Sequence, residues 1–255
     1  MVITGASSGI GATLAKLVGE RGDRPVLAAR RESELNEAAA RSGPDALAVV
    51  ADVTKREDVK RVLEAAIARF DHVDVWVNNA GRGITKPVSA LTDDDFNEMM
   101  RVNALSALYG MQVVLPHFQA RGRGHIINVS SMLGRVPFAP QRSSYSAAKH
   151  ALNALTAGLR IELQECWPSI HVSTVSPGVV ATEFGLHALG GGPDSRHLPM
   201  AQPVAEVAEV ILDVIERPRA DAYTRPGSQQ QVVDYFAAED MGVAEASFAR
   251  VIPRT

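Results

Sequence analysis

Short, continuous apolar runs alternate with segments of helical periodicity along most of this 255-residue chain. Runs such as residues 25–29 and 46–51 hold almost no polar residue, so the strands that they form need cover on both faces. Between the runs, apolar residues recur every three or four positions, as on one face of an α-helix. Repeated strand–helix units form a parallel sheet with right-handed crossovers. The sequence therefore predicts a single doubly wound α/β domain.

The predicted elements follow one another without a linker or an internal repeat. A capping box, Thr54-x-x-Glu57, is expected to open the helix after the third strand, and a break is expected near Asn103 in a later helix. Strands are predicted at residues 2–4, 25–29, 46–51, 73–77, 126–129 and 170–175, with 221–225 as a candidate seventh, and helices at 10–18, 32–41, 54–70, 93–121, 144–165 and 204–216.

Two segments depart from the alternation. Residues 183–203 contain Gly190-Gly191-Gly192 and few regular patterns, which favours a mobile lid over a site, the alternative being a plain exposed connection. Residues 228–255 are expected to form a mostly helical tail without an assigned role. We therefore divide the chain into a domain at 1–227 and a tail at 228–255.

Composition excludes several classes of function. The net charge of −3 and the pI of about 6.2 give no basic surface for nucleic acid or anionic lipid. No apolar run is long enough to span a bilayer, so no membrane partner is expected. The single cysteine, Cys166, cannot form an internal disulfide, and the scattered histidines predict no metal site. A cytoplasmic location is the default expectation.

A glycine-rich turn lies where the first predicted strand meets the first helix, in Thr4-Gly5-Ala6-Ser7-Ser8-Gly9-Ile10-Gly11. Gly5 permits a tight exit from the strand, Gly9 lets the backbone approach a pyrophosphate, and Gly11 lets the helix pack on the sheet. Free N–H groups at the helix start favour the anion. This position favours a nucleotide over an ordinary turn, and the absence of a following Lys-Ser/Thr disfavours an NTPase.

Tyr145 and Lys149 lie one helical turn apart on one face of a predicted helix. A free phenol titrates near 10, and a nearby cation is expected to lower that pKa and make Tyr145 a usable general acid or base. Ser131 follows the fifth strand, at the edge where parallel sheets gather catalytic groups. Serines at such positions also cap loops and helices, so that alternative stays open for Ser130 and Ser131.

Together these motifs resemble the short-chain dehydrogenase/reductase family, whose members have a Rossmann-type fold. The matching segments run in the family's order from Val2 to Thr182. Asn78-Asn79-Ala80-Gly81 is similar to its motif after the fourth strand. The resemblance implies a cofactor site formed by Gly5, Ser7, Ser8, Gly9, Ile10, Gly11, Asp52, Val53, Asn79, Ala80, Gly81, Tyr145, Lys149, Pro177, Gly178, Val180 and Thr182.

The resemblance also implies catalytic roles for four residues. Tyr145 would exchange a proton with the substrate oxygen, and Ser131 would hydrogen-bond that oxygen. Lys149 would lower the Tyr145 pKa and bind the nicotinamide ribose, while Asn103 would bend its helix and hold a relay water. The loop from Ser131 to Tyr145 is one residue longer than the commonest family form, which leaves Ser130 as the alternative serine.

The end of the second predicted strand indicates which nicotinamide cofactor is used. Ala29 stands where an NAD-preferring member would place an acidic side chain, and Arg30 and Arg31 follow it. A guanidinium suits a 2′-phosphate, so NADP(H) is the expected cofactor and NAD(H) the alternative. The arginines could instead be solvated loop residues.

The substrate is expected to be a small to medium apolar carbonyl compound or secondary alcohol. The alternative function is a non-catalytic member that senses cofactor or binds a partner, and the intact Tyr145 and Lys149 argue against it. The residues expected to line the pocket are Met132, Leu133, Val136, Phe138, Phe184, Leu186 and Leu189.

A homodimer or homotetramer is expected from two helices that carry apolar residues beyond one buried stripe. The alternative is that the sheet and its neighbours cover all of them. The residues concerned are Leu105, Leu108, Tyr109, Met111, Val113 and Val114 in the first helix, and Ala151, Leu152, Leu155, Leu159 and Leu163 in the second.

Overall fold

A parallel sheet of seven strands forms the centre of the computed structural model, which describes residues 1–249. The strands are β1 (Val2–Thr4), β2 (Val26–Ala29), β3 (Leu47–Val50), β4 (Val75–Asn78), β5 (Gly124–Val129), β6 (Ile170–Ser176) and β7 (Asp221–Tyr223). They lie in the order β3-β2-β1-β4-β5-β6-β7, and all neighbouring pairs are parallel. The predicted doubly wound α/β fold is confirmed. The strands are added towards one edge of the sheet from β1 to β3 and towards the other edge from β4 onwards. Such folds form their ligand crevice at this change of order, between β1 and β4.

Helices cover both faces of this sheet. They are α1 (Gly9–Glu20), α2 (Glu32–Arg41), α3 (Arg56–Phe70), α4 (Asp93–Met100), α5 (Ser106–Arg121), α6 (Ser143–Leu163), α7 (Val204–Glu216), α8 (Ser228–Phe236) and α9 (Met241–Ala249). A π turn at Arg101–Leu105 separates α4 from α5 and contains Asn103, at the break that the sequence predicts. None of the helices within residues 1–249 combines the length and the apolar composition that crossing a bilayer requires.

Two apolar layers hold the helices against the sheet. Leu27 and Val77 face the layer formed with α1, α2 and α7. Trp76 and Ile126 face the opposite layer, formed with α3, α5 and α6. Neighbouring residues of one strand, such as Trp76 and Val77, therefore enter different layers, which is why the strands read as continuous apolar runs.

A chain of buried polar side chains crosses the second layer. The indole of Trp76 donates to Asn78 Oδ1 at 2.8 Å, and Asn78 Nδ2 donates to Asn128 Oδ1 at 2.8 Å. Asn128 Nδ2 in turn donates to the Thr156 hydroxyl of α6 at 2.9 Å. Because unpaired polar groups are costly inside a core, this chain fixes α6 relative to β4 and β5.

The predicted capping box at Thr54 is wrong. The Thr54 hydroxyl donates to Asp52 Oδ1 at 2.8 Å, and α3 begins two residues later, at Arg56, without a side-chain cap. A complete capping box occurs instead at the start of α4, where Thr92 and Asp95 satisfy each other's backbone N–H groups. The carboxylate of Asp52 competes for the Thr54 hydroxyl, and sequence spacing does not show that competition.

The tail from residue 228 forms two helices, α8 and α9, separated by residues 237–240, and its residues after 249 lie outside the described part of the chain. Tyr235 of α8 donates its hydroxyl to Glu245 of α9 at 2.8 Å. Val233 and Phe236 of α8 remain exposed.

His125 of β5 is buried, and its ring tautomer follows from its neighbours. Ser173 donates its hydroxyl to the Arg219 carbonyl at 2.6 Å, so this hydroxyl accepts from His125 Nε2–H at 2.8 Å. His125 Nδ1 is then the bare nitrogen, and it lacks a partner among the described residues. Burial, together with the neighbouring His171, lowers the pKa of His125 from 6.5 to about 4.

We predict that His125 makes the fold acid-sensitive. Between pH 6.5 and 4 the unfolded chain protonates this ring and the native chain does not, so stability falls as the pH falls. The free energy of unfolding of His125→Gln should therefore rise relative to wild type by about 2 kcal/mol between pH 7 and pH 5. Glutamine retains a donor to Ser173 but does not titrate. Denaturant titrations at the two pH values measure this difference, with the exposed His197→Gln as the control. A pH-independent difference would contradict the prediction.

Candidate active site

The glycine-rich turn lies at the carboxyl edge of the sheet and has the backbone that its glycines permit. Gly5 and Gly9 have φ of 65° and 56°, in the left-handed region. A Cβ on Gly5 would lie 2.7 Å from Ala80 Cα, and one on Gly11 would lie 2.6 Å from the Gly5 carbonyl oxygen. The turn and the loop after β4 are thus in direct backbone contact, and neither glycine can carry a side chain.

Thr4 and Asn79 lock these two loops together. The Thr4 hydroxyl accepts from Asn79 N at 3.0 Å and from Ala80 N at 3.2 Å, and it donates to the Val77 carbonyl at 3.3 Å. Asn79 Nδ2 donates back to the carbonyl oxygens of Thr4 at 3.0 Å and Gly5 at 3.2 Å. The sequence motif at 78–81 therefore fixes the shape of the phosphate-binding turn.

Ser131 is the serine beside Tyr145. It follows β5 at the start of a short 3₁₀ turn, Met132–Gly134, where its hydroxyl accepts from Leu133 N at 3.1 Å. Its hydrogen bond with Tyr145 works to lower the pKa of that phenol. The Ser130 hydroxyl is buried against Gly134 and has no partner among the described residues. Of the two serines that the sequence leaves open, Ser131 is therefore the one that interacts with Tyr145.

Lys149 is buried one turn along α6 from Tyr145, as the sequence predicts. Its Nζ donates to the Val129 carbonyl oxygen at 2.8 Å and lies 5.8 Å from the centre of the Tyr145 ring. Burial lowers the pKa of the Lys149 ammonium to about 7. A Cβ on Gly81 would lie 3.8 Å from this Nζ, so the glycine leaves the approach to the lysine open.

The pKa of Tyr145 differs from the sequence-based expectation. Burial raises the pKa of the phenol to about 12, although Ser131 and the charge of Arg142 work in the opposite direction. The expected lowering of the Tyr145 pKa by Lys149 is not seen in this structure. The ammonium is bonded to Val129, and its own burial weakens the charged form that would stabilise a phenolate.

Asn103 fixes the loop that follows Gly81. Its Nδ2 donates to the carbonyl oxygens of Arg82 at 2.9 Å and Met99 at 3.1 Å, and its Oδ1 accepts from Arg82 N at 3.1 Å. The π turn places this amide beside Gly81, where a Cβ would lie only 2.9 Å from Asn103 Oδ1. Asn103, Gly81 and Lys149 therefore share one side of the site.

The segment after β6 closes the opposite side. The Pro177 carbonyl oxygen accepts from Met132 N at 2.8 Å, next to Ser131. A Cβ on Gly9 would lie 3.3 Å from Thr182 Cγ2, so this segment reaches the glycine-rich turn. Gln202, which the sequence did not single out, holds it in place through a bridge with Val180 and hydrogen bonds to Thr224.

The segment at 183–203, predicted to be a lid, packs over Tyr145. Leu189 N donates to the Gly83 carbonyl oxygen at 2.9 Å, and Thr85 N donates to the Leu189 carbonyl oxygen at 2.8 Å. The Phe184 ring meets the Tyr145 ring edge-on, with 5.7 Å between their centres. Leu133 packs in the same cluster, whereas Leu186 is 46% exposed and is not part of this wall.

The two arginines after β2 have different surroundings. Arg31 donates to the hydroxyls of Ser7 at 3.0 Å and Ser8 at 2.9 Å, and it forms an ion pair with Glu34 at 3.3 Å. Arg30 is exposed, and its charge helps to lower the pKa of Asp52. Arg31, rather than Arg30, is thus the guanidinium held against the glycine-rich turn.

The predicted site residues lie together at the carboxyl edge of the sheet, where ligands bind in this type of fold. The glycine-rich turn follows β1, Asp52 and Val53 follow β3, Asn79 to Gly81 follow β4, Ser131 follows β5 and Pro177 to Thr182 follow β6. Within residues 1–249, no group of histidine, cysteine, aspartate and glutamate side chains is arranged to hold a metal ion.

Arg142 is a further site residue that sequence reasoning missed. It is half-buried at the end of a 3₁₀ turn, Pro140–Arg142, and its charge acts on Tyr145. Its spacing of three residues from Tyr145 was the available signal, since residues three apart at a helix start share a side.

Comparison with known proteins identifies the family. The sequence profile described as short chain dehydrogenase matches residues 1–187. The chain belongs to the short-chain dehydrogenase/reductase family. An uncharacterized oxidoreductase of Bacillus subtilis, YxnA, is 37% identical over 245 residues, which are 93% of this chain and 68% of that protein. The family assignment makes the chain an oxidoreductase with a nicotinamide cofactor.

Solved structures of relatives contain both types of nicotinamide cofactor. A short-chain dehydrogenase from Sphingobium yanoikuyae in complex with NADPH is 29% identical, with a TM-score of 0.78 over all of this chain and 96% of that one. A short-chain dehydrogenase/reductase from Burkholderia phymatum in complex with NAD has a TM-score of 0.85 over the same shares of the two chains. At 23% identity, the second likeness shows the fold alone.

We predict that Tyr145→Phe lowers kcat at least about 100-fold and changes the affinity for nicotinamide nucleotide less than about threefold. The phenol is the group placed to carry a proton, and general acid–base terms contribute about 10² to 10⁴ in rate. Steady-state kinetics on the best substrate of a carbonyl panel and a fluorescence titration measure the two effects. Tyr109→Phe, which removes a hydroxyl from α5 outside the site, is the control. A variant that keeps more than about a tenth of wild-type kcat would exclude this role.

Proposed function

We propose that this protein transfers hydride between NADP(H) and the carbonyl or secondary alcohol group of a small to medium substrate. The observation that carries the proposal is the buried Tyr145 between Ser131 and Lys149, at the edge where the glycine-rich turn opens. A non-catalytic member of the fold would not need this set. Burying a phenol and an ammonium together costs free energy of folding, so their presence in one site indicates a function.

The protonation states support reduction of a carbonyl at neutral pH. With a pKa of about 12, the Tyr145 phenol carries its proton and can donate it to a substrate oxygen. Ser131 offers a second hydroxyl on the same side of the site. Lys149, with a pKa of about 7, changes charge in the physiological range and can stabilise the phenolate that Tyr145 becomes after donation.

The site fits a dinucleotide. Gly5 and Gly9, both with φ in the left-handed region, form the turn that leads into the N-terminus of α1, and helix N-termini bind phosphate groups. A bound nicotinamide supplies or accepts the hydride. In this proposal, Ser7, Ser8, Gly9 and Ile10 hold the phosphates, Asp52 and Val53 the adenine, Asn79 to Gly81 the ribose, and Val180 and Thr182 the nicotinamide.

Arg31 supports a preference for NADP(H). Glu34 and the Ser7 and Ser8 hydroxyls hold its guanidinium beside the turn, where no acidic side chain stands at position 29 to accept from a ribose hydroxyl. A 2′-phosphate there would meet a positioned guanidinium, with the exposed Arg30 as a second cation.

A homodimer or homotetramer and a cytoplasmic location complete the proposal. Most apolar residues of the two long helices pack in the protein's own core, including Leu108, Met111 and Leu159. Leu105 and Leu155 remain more than a third exposed, and Ile161 of α6 is 71% exposed. These three side chains are the apolar surface that a second copy would cover.

We predict that wild-type protein binds NADPH at least about tenfold more tightly than NADH. Arg31→Ala should weaken NADPH binding by about 10- to 100-fold and NADH binding far less, because a charge-assisted hydrogen bond contributes about 1.5–3 kcal/mol. Arg30→Ala tests the second cation, and the remote, exposed Arg123→Ala is the control. Fluorescence titrations give all the dissociation constants. Equal wild-type constants for the two nucleotides would contradict the preference.

We also predict an oligomer in solution. Light scattering at micromolar concentration should give a mass of two or four times the 27.2 kDa of one chain. Ile161→Glu should lower that mass, because it places a charge on the apolar surface of α6. A wild-type mass near 27.2 kDa would show a monomer instead.

A further inference from the structure

Arg142 is a half-buried cation in the wall around Tyr145. It lies three residues before Tyr145, and its Nη1 is 3.1 Å from the point that a Cβ on Gly83 would occupy. The Phe184 ring edge is 2.9 Å from the same point, so the guanidinium and the lid residue meet at Gly83. The side chain therefore lies on the substrate side of the site, under the segment at 183–203.

The surrounding cations have acidic partners in this chain, and Arg142 does not. Lys86 pairs with Asp95 at 2.6 Å, and Arg82 with Glu98 at 3.7 Å. In the described part of the chain, Arg142 has no carboxylate partner. Burial lowers the pKa of this guanidinium, and the ionisable group that acts against this is the Tyr145 phenol, which carries no charge at neutral pH. A guanidinium taken out of water without a counter-charge is costly, so its retention beside the reacting phenol indicates a partner that arrives from outside.

The chemistry of that partner follows from the guanidinium of Arg142 and the side chains next to it. Lys86 is held by Asp95, and Arg82 shares Glu98 with Arg101, whereas Arg142 has no acid of the described chain beside it. The planar guanidinium of Arg142 matches a carboxylate through two parallel N–H···O bonds. Phe184 and Leu189 supply apolar surface next to this charge, suited to the carbon chain between an acid group and a carbonyl.

We propose that Arg142 binds a carboxylate of the substrate, so that the preferred substrates are oxo acids and their hydroxy acids. The proposal deepens the oxidoreductase function above and rests on it. The carbonyl oxygen meets Tyr145 and Ser131 while the carboxylate pairs with Arg142. This narrows the apolar carbonyl compound expected from sequence to one with an anionic end.

The experiment compares acids with their neutral esters. The probes are 3-oxobutanoate, 4-oxopentanoate and 5-oxohexanoate, each beside its methyl ester, with NADPH as reductant. Wild type should reduce the best acid with a kcat/KM at least about tenfold above that of its ester. In Arg142→Gln this acid-to-ester ratio should fall about 10- to 100-fold, and Arg142→Lys should retain part of it, as a charge without the planar fork. Arg123→Gln, an exposed arginine before β5, should keep the wild-type ratio.

The outcomes separate this proposal from the one on which it rests. A wild-type preference for esters, or an unchanged acid-to-ester ratio in Arg142→Gln, would overturn the carboxylate site while the oxidoreductase function stands. If no probe turns over with either nucleotide, calorimetric titration of the wild type with 4-oxopentanoate and its ester decides the site. Tighter binding of the acid supports it, and equal or weaker binding overturns it.

Discussion

One hydroxyl group holds together the two loops on which the site depends. Thr4, the last residue of β1, joins the glycine-rich turn to the loop after β4 by accepting from two N–H groups and donating to one carbonyl. Valine or alanine at this position would leave buried backbone donors unpaired. Because the loops touch at Gly5 and Ala80, their shapes are set together, and the position of Gly81 follows from the same junction. Asn103 then fixes the chain beyond Gly81 through Arg82.

Burial sets the chemistry of the pair on α6. Both groups ordinarily have a pKa near 10, and burial makes the two values differ. The pKa of Tyr145 is raised to about 12 and that of Lys149 is lowered to about 7. The packing that excludes water thus keeps the phenol protonated and makes the ammonium the group that responds to pH. The Asn78–Asn128–Thr156 chain contributes by fixing α6 against the sheet below the pair. The buried polar network and the proton-transfer site therefore share one scaffold.

Fold and site differ in how far the sequence could predict them. The apolar runs and helical spacing predict the sheet and most helices, since burial on both faces demands that pattern, and α7 has its predicted bounds. The tyrosine, lysine and glycine positions follow from motif spacing. The capping box failed because Asp52 takes the Thr54 hydroxyl. The Tyr145 pKa, the contact of Arg31 with Ser7 and Ser8, and the lone charge of Arg142 depend on side chains brought together by distant segments, which no local pattern records.

Few backbone hydrogen bonds join the segment at 183–203 to the loop after β4. Two hydrogen bonds link Leu189 to Gly83 and Thr85, and directly afterwards Gly190 and Gly191 turn the chain away with φ of 78° and 75°. These two bonds lie beside Phe184 and Arg142, so breaking them would expose the guanidinium and the phenol to water together. In the proposed reaction, substrate entry, binding of its carboxylate and exclusion of water from the site would then depend on the same segment. The proposed contact between Arg142 and the substrate carboxylate would form as this segment packs over the site, before hydride or proton transfer.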